Sequence, residues 1–268
     1  MKSAHTEIPP DTVLPAPPLP NPADVALFLD IDGTLLDFAA HWNSVVVDPA
    51  LAPLLRTLLR RLDGALALVS GRTLSQIDSL FDLPDAAIAG QHGAQLRSAD
   101  GIVLAATADS AHMISLRRRA HALTASCPGV VIEEKPDALA LHYRAAPAAA
   151  AAMRIAAESL AHEAGPAYAL LEGDHVIELR PVGADKGAAL ASLMRNAPFA
   201  DRVPWMIGDD RTDEYAFVTA QTLGGIGVIV GTRRPTAARY ALADPAAARG
   251  WLASLSRHTP APVTESRK

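Results

Sequence analysis

The sequence predicts an α/β fold: a doubly wound, Rossmann-like parallel-sheet core carrying an inserted α+β cap of αββαββ order. Two observations predict it. Short, wholly apolar runs alternate with helical periodicities before residue 108 and again after 185, as strands buried on both faces of a parallel sheet require. Between them the order of elements changes to paired strands with hairpin chemistry, which is antiparallel in character.

The first strand is Ala26-Leu27-Phe28-Leu29, running into Asp30-Ile31-Asp32-Gly33-Thr34. Leu51, Leu54, Leu55, Leu58, Leu59 and Leu62 share one helical face, and Asp63-Gly64 stops that helix. Ala65–Val69 is the second strand, ending at Ser70-Gly71-Arg72, and a helix follows with Leu74, Ile77 and Leu80 or Phe81 on one side. Ala86–Ala89 is the third strand, ending at Gly90-Gln91-His92-Gly93. This βαβαβ series defines the doubly wound half. A helix over about 110–126, strands at Val130–Glu133 and Leu139–Tyr143, an alanine-rich helix over about 148–163, and strands at 168–172 and 176–180 joined by a Gly173-Asp174 turn make up the insertion. The earlier style resumes with a helix after Asp185, a strand over Trp205–Gly208, a helix from Thr212 and a strand over Ile226–Val230. The expected organisation is a core of 25–108 and 181–256 and a cap of 109–180. The seven prolines of residues 1–24 read as a disordered tail, and residues 257–268 as a flexible one.

Composition narrows the function. Half of the 268 residues are hydrophobic, yet no run approaches a bilayer span, so a soluble protein is expected. A net charge of −5 gives no footprint for nucleic acid or anionic membranes. The single Cys127 excludes an internal disulfide, and the first residues lack the apolar core of a signal peptide, so a cytoplasmic protein is expected, with a monomer as a separate default expectation.

In open α/β sheets ligands sit beyond the carboxyl ends of the strands, and three such ends here are polar: Asp30-Ile31-Asp32, Ser70-Gly71-Arg72 and Asp209-Asp210. Convergent carboxylates repel by roughly 4 kcal/mol per pair at about 4 Å and an effective dielectric near 20. A hard cation with oxygen ligands removes the difficulty, and Mg²⁺ suits a site with few carboxylates that also receives a phosphate. Each signature has a plainer reading beside this one: Asp32-Gly33 as a turn, Ser70 and Arg72 as a strand-end cap, Thr212 as N-cap of an acid-rich helix start. Lys186 is harder to dismiss, because a cation in the first turn of a helix opposes the dipole unless an anion is held there. A calcium loop fails, since Gly33 stands fourth and His41 twelfth from Asp30. A phosphate-binding Gly-x-x-x-x-Gly-Lys loop, the arginine a thiol phosphatase requires after Cys127, and a dinucleotide Gly-x-Gly-x-x-Gly are also lacking.

Asp30-Ile31-Asp32-Gly33-Thr34, Ser70, Lys186 and Gly208-Asp209-Asp210-Arg211-Thr212-Asp213-Glu214 resemble, in order, the four motifs of the haloacid dehalogenase superfamily. Ser70-Gly71-Arg72, Gly90–Gly93, Glu134-Lys135 with His142–Arg144, and Glu178–Pro181 with Asp185–Gly187 narrow the resemblance to the trehalose-6-phosphate phosphatase family, over about residues 25–255. The resemblance implies a haloacid dehalogenase-like core and a Mg²⁺-dependent phosphatase. In that reading Asp30 is nucleophile and Asp32 acid and base, Ser70 and Lys186 hold phosphoryl oxygens, and Asp30, Asp32 through its carbonyl, and Asp209 hold the metal. Asp210 and Asp213 are auxiliary. It implies substrate contacts at Thr34, Arg72, His92, Lys135, Arg144 and Glu178, and a phosphorylated disaccharide as the small-molecule partner. Lys135 with Glu178 also reads as an ordinary cross-strand pair. Another sugar phosphatase, a phosphomutase or a catalytically silent regulatory domain stay open as alternatives, and the linkers near 107–110 and 181–184 are candidate hinges.

Overall fold

The structure, a computed structural model, describes residues 13–37, 45–105, 110–173, 175–183 and 185–259. The expected tails at 1–12 and 260–268, His41, Asp174, most of the 107–110 hinge and Ala184 lie outside the described residues. The chain divides into two compact units, residues 1–103 with 185–268, and residues 104–184.

The eight-stranded sheet, in the first unit but for the last two residues of β5, is built on strands β1 (Val25–Leu29), β2 (Leu66–Val69), β3 (Ala87–Gly90), β4 (Gln95–Arg97), β5 (Val103–Ala105), and later β10 (Val203–Gly208), β11 (Ile226–Val230) and β12 (Tyr240–Leu242). Their order in the sheet is β12-β11-β10-β1-β2-β3-β4-β5. All neighbours from β12 to β3 are parallel, and β4 turns antiparallel against β3. Every residue of β1 and β2 is buried, as a sheet covered on both faces demands. Helices α1 (Leu51–Arg61), α2 (Leu74–Phe81), α5 (Lys186–Leu193), α6 (Asp213–Thr222) and α7 (Pro245–Arg257) complete this unit. α1 packs on α7 and α5 on α6. Right-handed crossovers require this division, because the chain steps one way from β1 to β3 and the other way from β10 to β12.

β1 therefore lies at the switch point, with β2 on one side and β10 on the other, and the loops after these three strands splay apart to leave a crevice. Three short strands and α7 have no counterpart in the sequence-based reading. β4, β5 and β12 are three residues each, β5 and β12 at the two edges of the sheet, and α7 mixes small alanines with its buried Trp251, Leu252 and Leu255. The proline-rich stretch is also held where disorder is expected. Leu14 packs on the core, Pro15 accepts a hydrogen bond from the Ala241 amide at 2.9 Å, and Pro17 accepts one from Trp251 Nε1 at 3.1 Å.

The second unit follows the αββαββ order: α3 (Ser110–Thr124), β6 (Val131–Glu134), β7 (Leu139–His142), α4 (Ala150–Ala164), β8 (Tyr168–Gly173) and β9 (Val176–Pro181). Its antiparallel sheet runs β6-β7-β9-β8. Met113, Leu116, Met153, Ala157 and Leu160 from the helices pack with Leu139, Leu141, Ile177 and Leu179. Because side chains alternate along a strand, Glu133, Ala140, Glu178 and Leu171, which lie in register, fall on the opposite face. No described helix is long and apolar enough to cross a membrane.

Candidate active site

Asp30 follows the last residue of β1 and is 4 % exposed. Its Oδ1 accepts a 2.6 Å hydrogen bond from Lys186 Nζ, which gives a second one, also 2.6 Å, to Asp213 Oδ1. Lys186 reaches this position from the first residue of α5, whose start is fixed by Asp185 accepting from the Ala188 amide at 2.8 Å. The cation disfavoured by its own helix dipole is thus compensated by two buried carboxylates. Burial alone would lower the lysine pKa, but Asp213 and Asp30 override it and hold the ammonium well above its usual range.

Asp213 is fully buried, and both of its oxygens are committed. Oδ2 accepts from the amides of Asp209 (3.0 Å) and Asp210 (2.9 Å), so it folds the loop after β10 around itself. Gly208 makes room for this: a Cβ there would stand 2.3 Å from Asp213 Cγ. The Thr212 N-cap expectation fails for the same reason. Thr212 occupies the position without a side-chain cap bond, and Asp213 satisfies the loop amides instead.

Asp209 accepts a 3.0 Å hydrogen bond from Thr34 Oγ1. Burial and the charge of Asp213 raise its pKa to about 7, against the pull of Lys186. Burial likewise pushes Asp30 well above the carboxylate range, opposed by Lys186 and reinforced by Asp213 and Asp209. Carboxylate oxygens of Asp30, Asp209 and Asp213 lie within 4.8 Å of one another. Hard oxygen donors whose ionised forms are penalised by mutual repulsion suit a small divalent cation. Since Asp213 is already engaged by Lys186 and two amides, Asp30 and Asp209 are the carboxylates with capacity left to hold one.

The other expected residues sort by unit. In the first, Asp30, Asp32, Ser70, Gly71, His92, Lys186, Asp210 and Thr212 line one cleft. His92 presses its imidazole against Gly71, where a Cβ would meet Nε2 at 2.7 Å, and its own backbone is left-handed at φ 56°. Arg72, expected to touch substrate, is turned onto Asp32. Its Nε and one terminal nitrogen reach the two carboxylate oxygens at 2.7 and 2.6 Å, a bidentate pair with the arginine buried and Asp32 about one-third exposed. In the second unit, Lys135 Nζ donates to Glu178 Oε1 at 2.9 Å with both side chains buried, and His142 Nε2 lies 2.9 Å from Glu133. Burial tends to lower the Lys135 pKa, but Glu178 and Glu133 raise it overall. Arg144 stands exposed just beyond β7.

A family model described as trehalose-phosphatase matches residues 28–246. The chain belongs to the trehalose-phosphatase family. Within that family it is 44% identical over 232 residues to a probable trehalose-phosphate phosphatase of Sinorhizobium fredii, covering 86% of this chain and 87% of the relative. It is 37% identical over 230 residues to the trehalose-6-phosphate phosphatase of Escherichia coli, covering 86% of each. Among solved structures, a trehalose-6-phosphate phosphatase related protein superposes with a TM-score of 0.74 at 26% identity, over 86% of this chain and 96% of that one. A haloacid dehalogenase-like hydrolase of Bacteroides thetaiotaomicron shares the fold, with a TM-score of 0.63 at 16% identity over 87% and 98% of the two chains.

Two residues beside Asp209 lie outside the expectations from sequence. Arg233 reaches the carbonyls of Asp209 and Asp210, and Glu214, seen only as part of an acid-rich start, pairs with it. The signal was available: Gly231-Thr232-Arg233-Arg234 is a fourth polar strand end, after β11.

Proposed function

We propose that this chain hydrolyses trehalose 6-phosphate to trehalose and inorganic phosphate through an aspartyl-phosphate on Asp30. The observation that carries the reading is the buried Lys186 bridging Asp30 and Asp213 beside Asp209, at the end of the central strand. Asp30 attacks phosphorus as the bond from phosphorus to the sugar O6 breaks, and Asp32 delivers its proton to the departing oxygen. Asp32 then takes a proton from water, whose oxygen attacks phosphorus as the acyl phosphate bond breaks, releasing phosphate and restoring Asp30. Lys186 and Ser70 hold the phosphoryl oxygens throughout. Asp30, Asp209 and the carbonyl of Asp32 are the groups that would hold Mg²⁺, which when bound offsets the charge gathered on carboxylates and phosphoryl group. For Asp32 to act, it must exchange Arg72 for the leaving oxygen, so the bidentate pair belongs to the resting arrangement.

Lys135 and Glu178, together with Arg144, supply the polar groups that recognise sugar hydroxyls. A site whose buried polar groups expect hydroxyls discriminates strongly against substrates lacking them. Phosphate release measured across a panel of sugar phosphates with MgCl₂ tests the proposal. Trehalose 6-phosphate is expected to be cleaved with the highest kcat/KM, and Glu178→Gln to lose up to about 100-fold on it, the worth of a hydrogen bond to a charged group, while retaining cleavage of 4-nitrophenyl phosphate. Equal rates on glucose 6-phosphate overturn the substrate assignment, and activity surviving Asp30→Ala overturns the mechanism.

A further inference from the structure

The loop Asp209–Thr212 is gripped from both sides. On the side of Asp30, the amides of Asp209 and Asp210 point into Asp213 Oδ2. On the other, their carbonyls point at Arg233: Nε donates to Asp209 O at 3.0 Å and Nη2 to Asp210 O at 3.1 Å. The same guanidinium donates to Glu214 Oε1 and, through Nη1, to Pro235 O at 3.2 Å. Four of its five N–H groups are thereby spent. Glu214 Oε2 accepts from the Ala237 amide at 2.7 Å, tying α6 to the segment after β11. The Asp209–Asp210 peptide is held at both ends, its amide by the Asp213 anion and its carbonyl by the Arg233 cation, which polarises it in one sense and fixes its plane beside the Asp209 side chain.

We infer that Arg233 is a positioning residue for the cation site: it sets the orientation of the Asp209 carboxylate by clamping the carbonyls of Asp209 and Asp210, with Glu214 orienting the clamp. The inference rests on the proposed reading of Asp209 as a metal ligand. Partners one step removed from a ligand typically change metal affinity by about 10- to 100-fold when lost. Lysine cannot reproduce the fork, because its ammonium is a single point of donation.

Isothermal titration of MgCl₂ into the full chain tests this without recourse to activity. Arg233→Met is expected to weaken Mg²⁺ binding by at least about tenfold, Arg233→Lys to restore part of it, and Glu214→Gln to weaken it in the same direction by less. In turnover, the Mg²⁺ concentration giving half-maximal rate is expected to rise while kcat at saturating Mg²⁺ stays close to wild type. Arg97→Met is the control. Arg97 likewise makes several bonds on the core, to Asp78 and to the Leu83 carbonyl, away from the loop, and its loss is expected to lower the melting temperature without changing Mg²⁺ affinity. Mg²⁺ binding by Arg233→Met within about twofold of wild type overturns the inference, and so does an equal weakening in Arg97→Met. Should Arg233→Met fail to fold, Arg233→Lys and Glu214→Gln carry the same comparison. Asp209→Asn separates the two levels: undiminished Mg²⁺ binding there refutes the metal reading itself, whereas loss there with Arg233→Met unaffected refutes only the role of Arg233.

Discussion

Replacing Lys186 by methionine keeps the buried stem of the side chain and removes the cation that Asp30 and Asp213 share at 2.6 Å. Three acids then face one another with oxygens within 4.8 Å, and each ionised pair repels by roughly 3.5 kcal/mol at an effective dielectric of about 20. Removing one partner of a buried ion pair costs about 3–5 kcal/mol. For a protein of this size each kcal/mol moves the melting temperature by roughly 2–4 °C, so a fall of about 6–20 °C is expected at pH 8 in EDTA. The pH dependence gives the cause away. Lys186 is held above its usual pKa, so in the wild-type protein its contribution is intact throughout pH 5–8 and is lost only in strong alkali. In the variant the cost exists only while the acids are ionised, and Asp30 and Asp209 already titrate high. The deficit should therefore shrink as pH falls from 8 to 5. Differential scanning calorimetry at both pH values decides the matter: a deficit of under about 3 °C at pH 8, or one of the same size at pH 5, refutes the electrostatic account.

Two further outcomes follow from the same geometry. Asp32→Asn should slow single-turnover release of trehalose from its 6-phosphate by about 10² to 10⁴, yet leave the burst of 4-nitrophenolate from 4-nitrophenyl phosphate nearly intact, since that leaving group needs no proton; equal losses would remove Asp32 as the acid. Asp209, raised to about 7 from an ordinary carboxylate value, makes a contribution to the stability of the metal-free protein that is fully present below about pH 4 and is lost as pH rises through 7. Urea titrations in EDTA at pH 5 and 8 should show this slope in the wild type and a flatter one in Asp209→Asn, and an unchanged slope would contradict the assignment.

The elements legible in the sequence are those whose burial is written in composition. β1, β2 and β3 are uninterrupted apolar runs, and α1 repeats leucine at helical spacing, so their positions follow from hydrophobic patterning alone. β4, β5 and β12 are too short to carry a period, and their partners, not their composition, make them strands. The residues placed in the site are legible for a different reason: Asp30, Ser70, Lys186 and Asp209 sit where strands end or a helix begins, which topology turns into one crevice. Their pairings were not legible. Arg72 closing on Asp32 and Arg233 gripping the carbonyls of Asp209 and Asp210 reach across tens of residues, which local pattern does not contain, whereas Asp213 folding under the Asp209 amide is close in sequence but depends on the path of a loop that Gly208 makes room for.

The position of β1 in the middle of its sheet bears on how the chain is made. Val25 pairs with Val203, so one whole flank of Val-Ala-Leu-Phe-Leu stays open until the ribosome has delivered β10, long after β2 has closed the other flank. Closing contacts so distant in sequence is entropically slow, and an apolar strand with an unpaired edge invites pairing with other chains meanwhile. The second unit, whose strands and helices are contiguous in sequence, can assemble during that interval, whereas a fragment ending before residue 203 presents β1 as a permanent open edge. Lys186 and Asp209 flank β10 in sequence, so the cation that balances Asp30 and the acid that stands beside it arrive with the strand that closes the open flank of β1, and the chemistry cannot be assembled ahead of the fold.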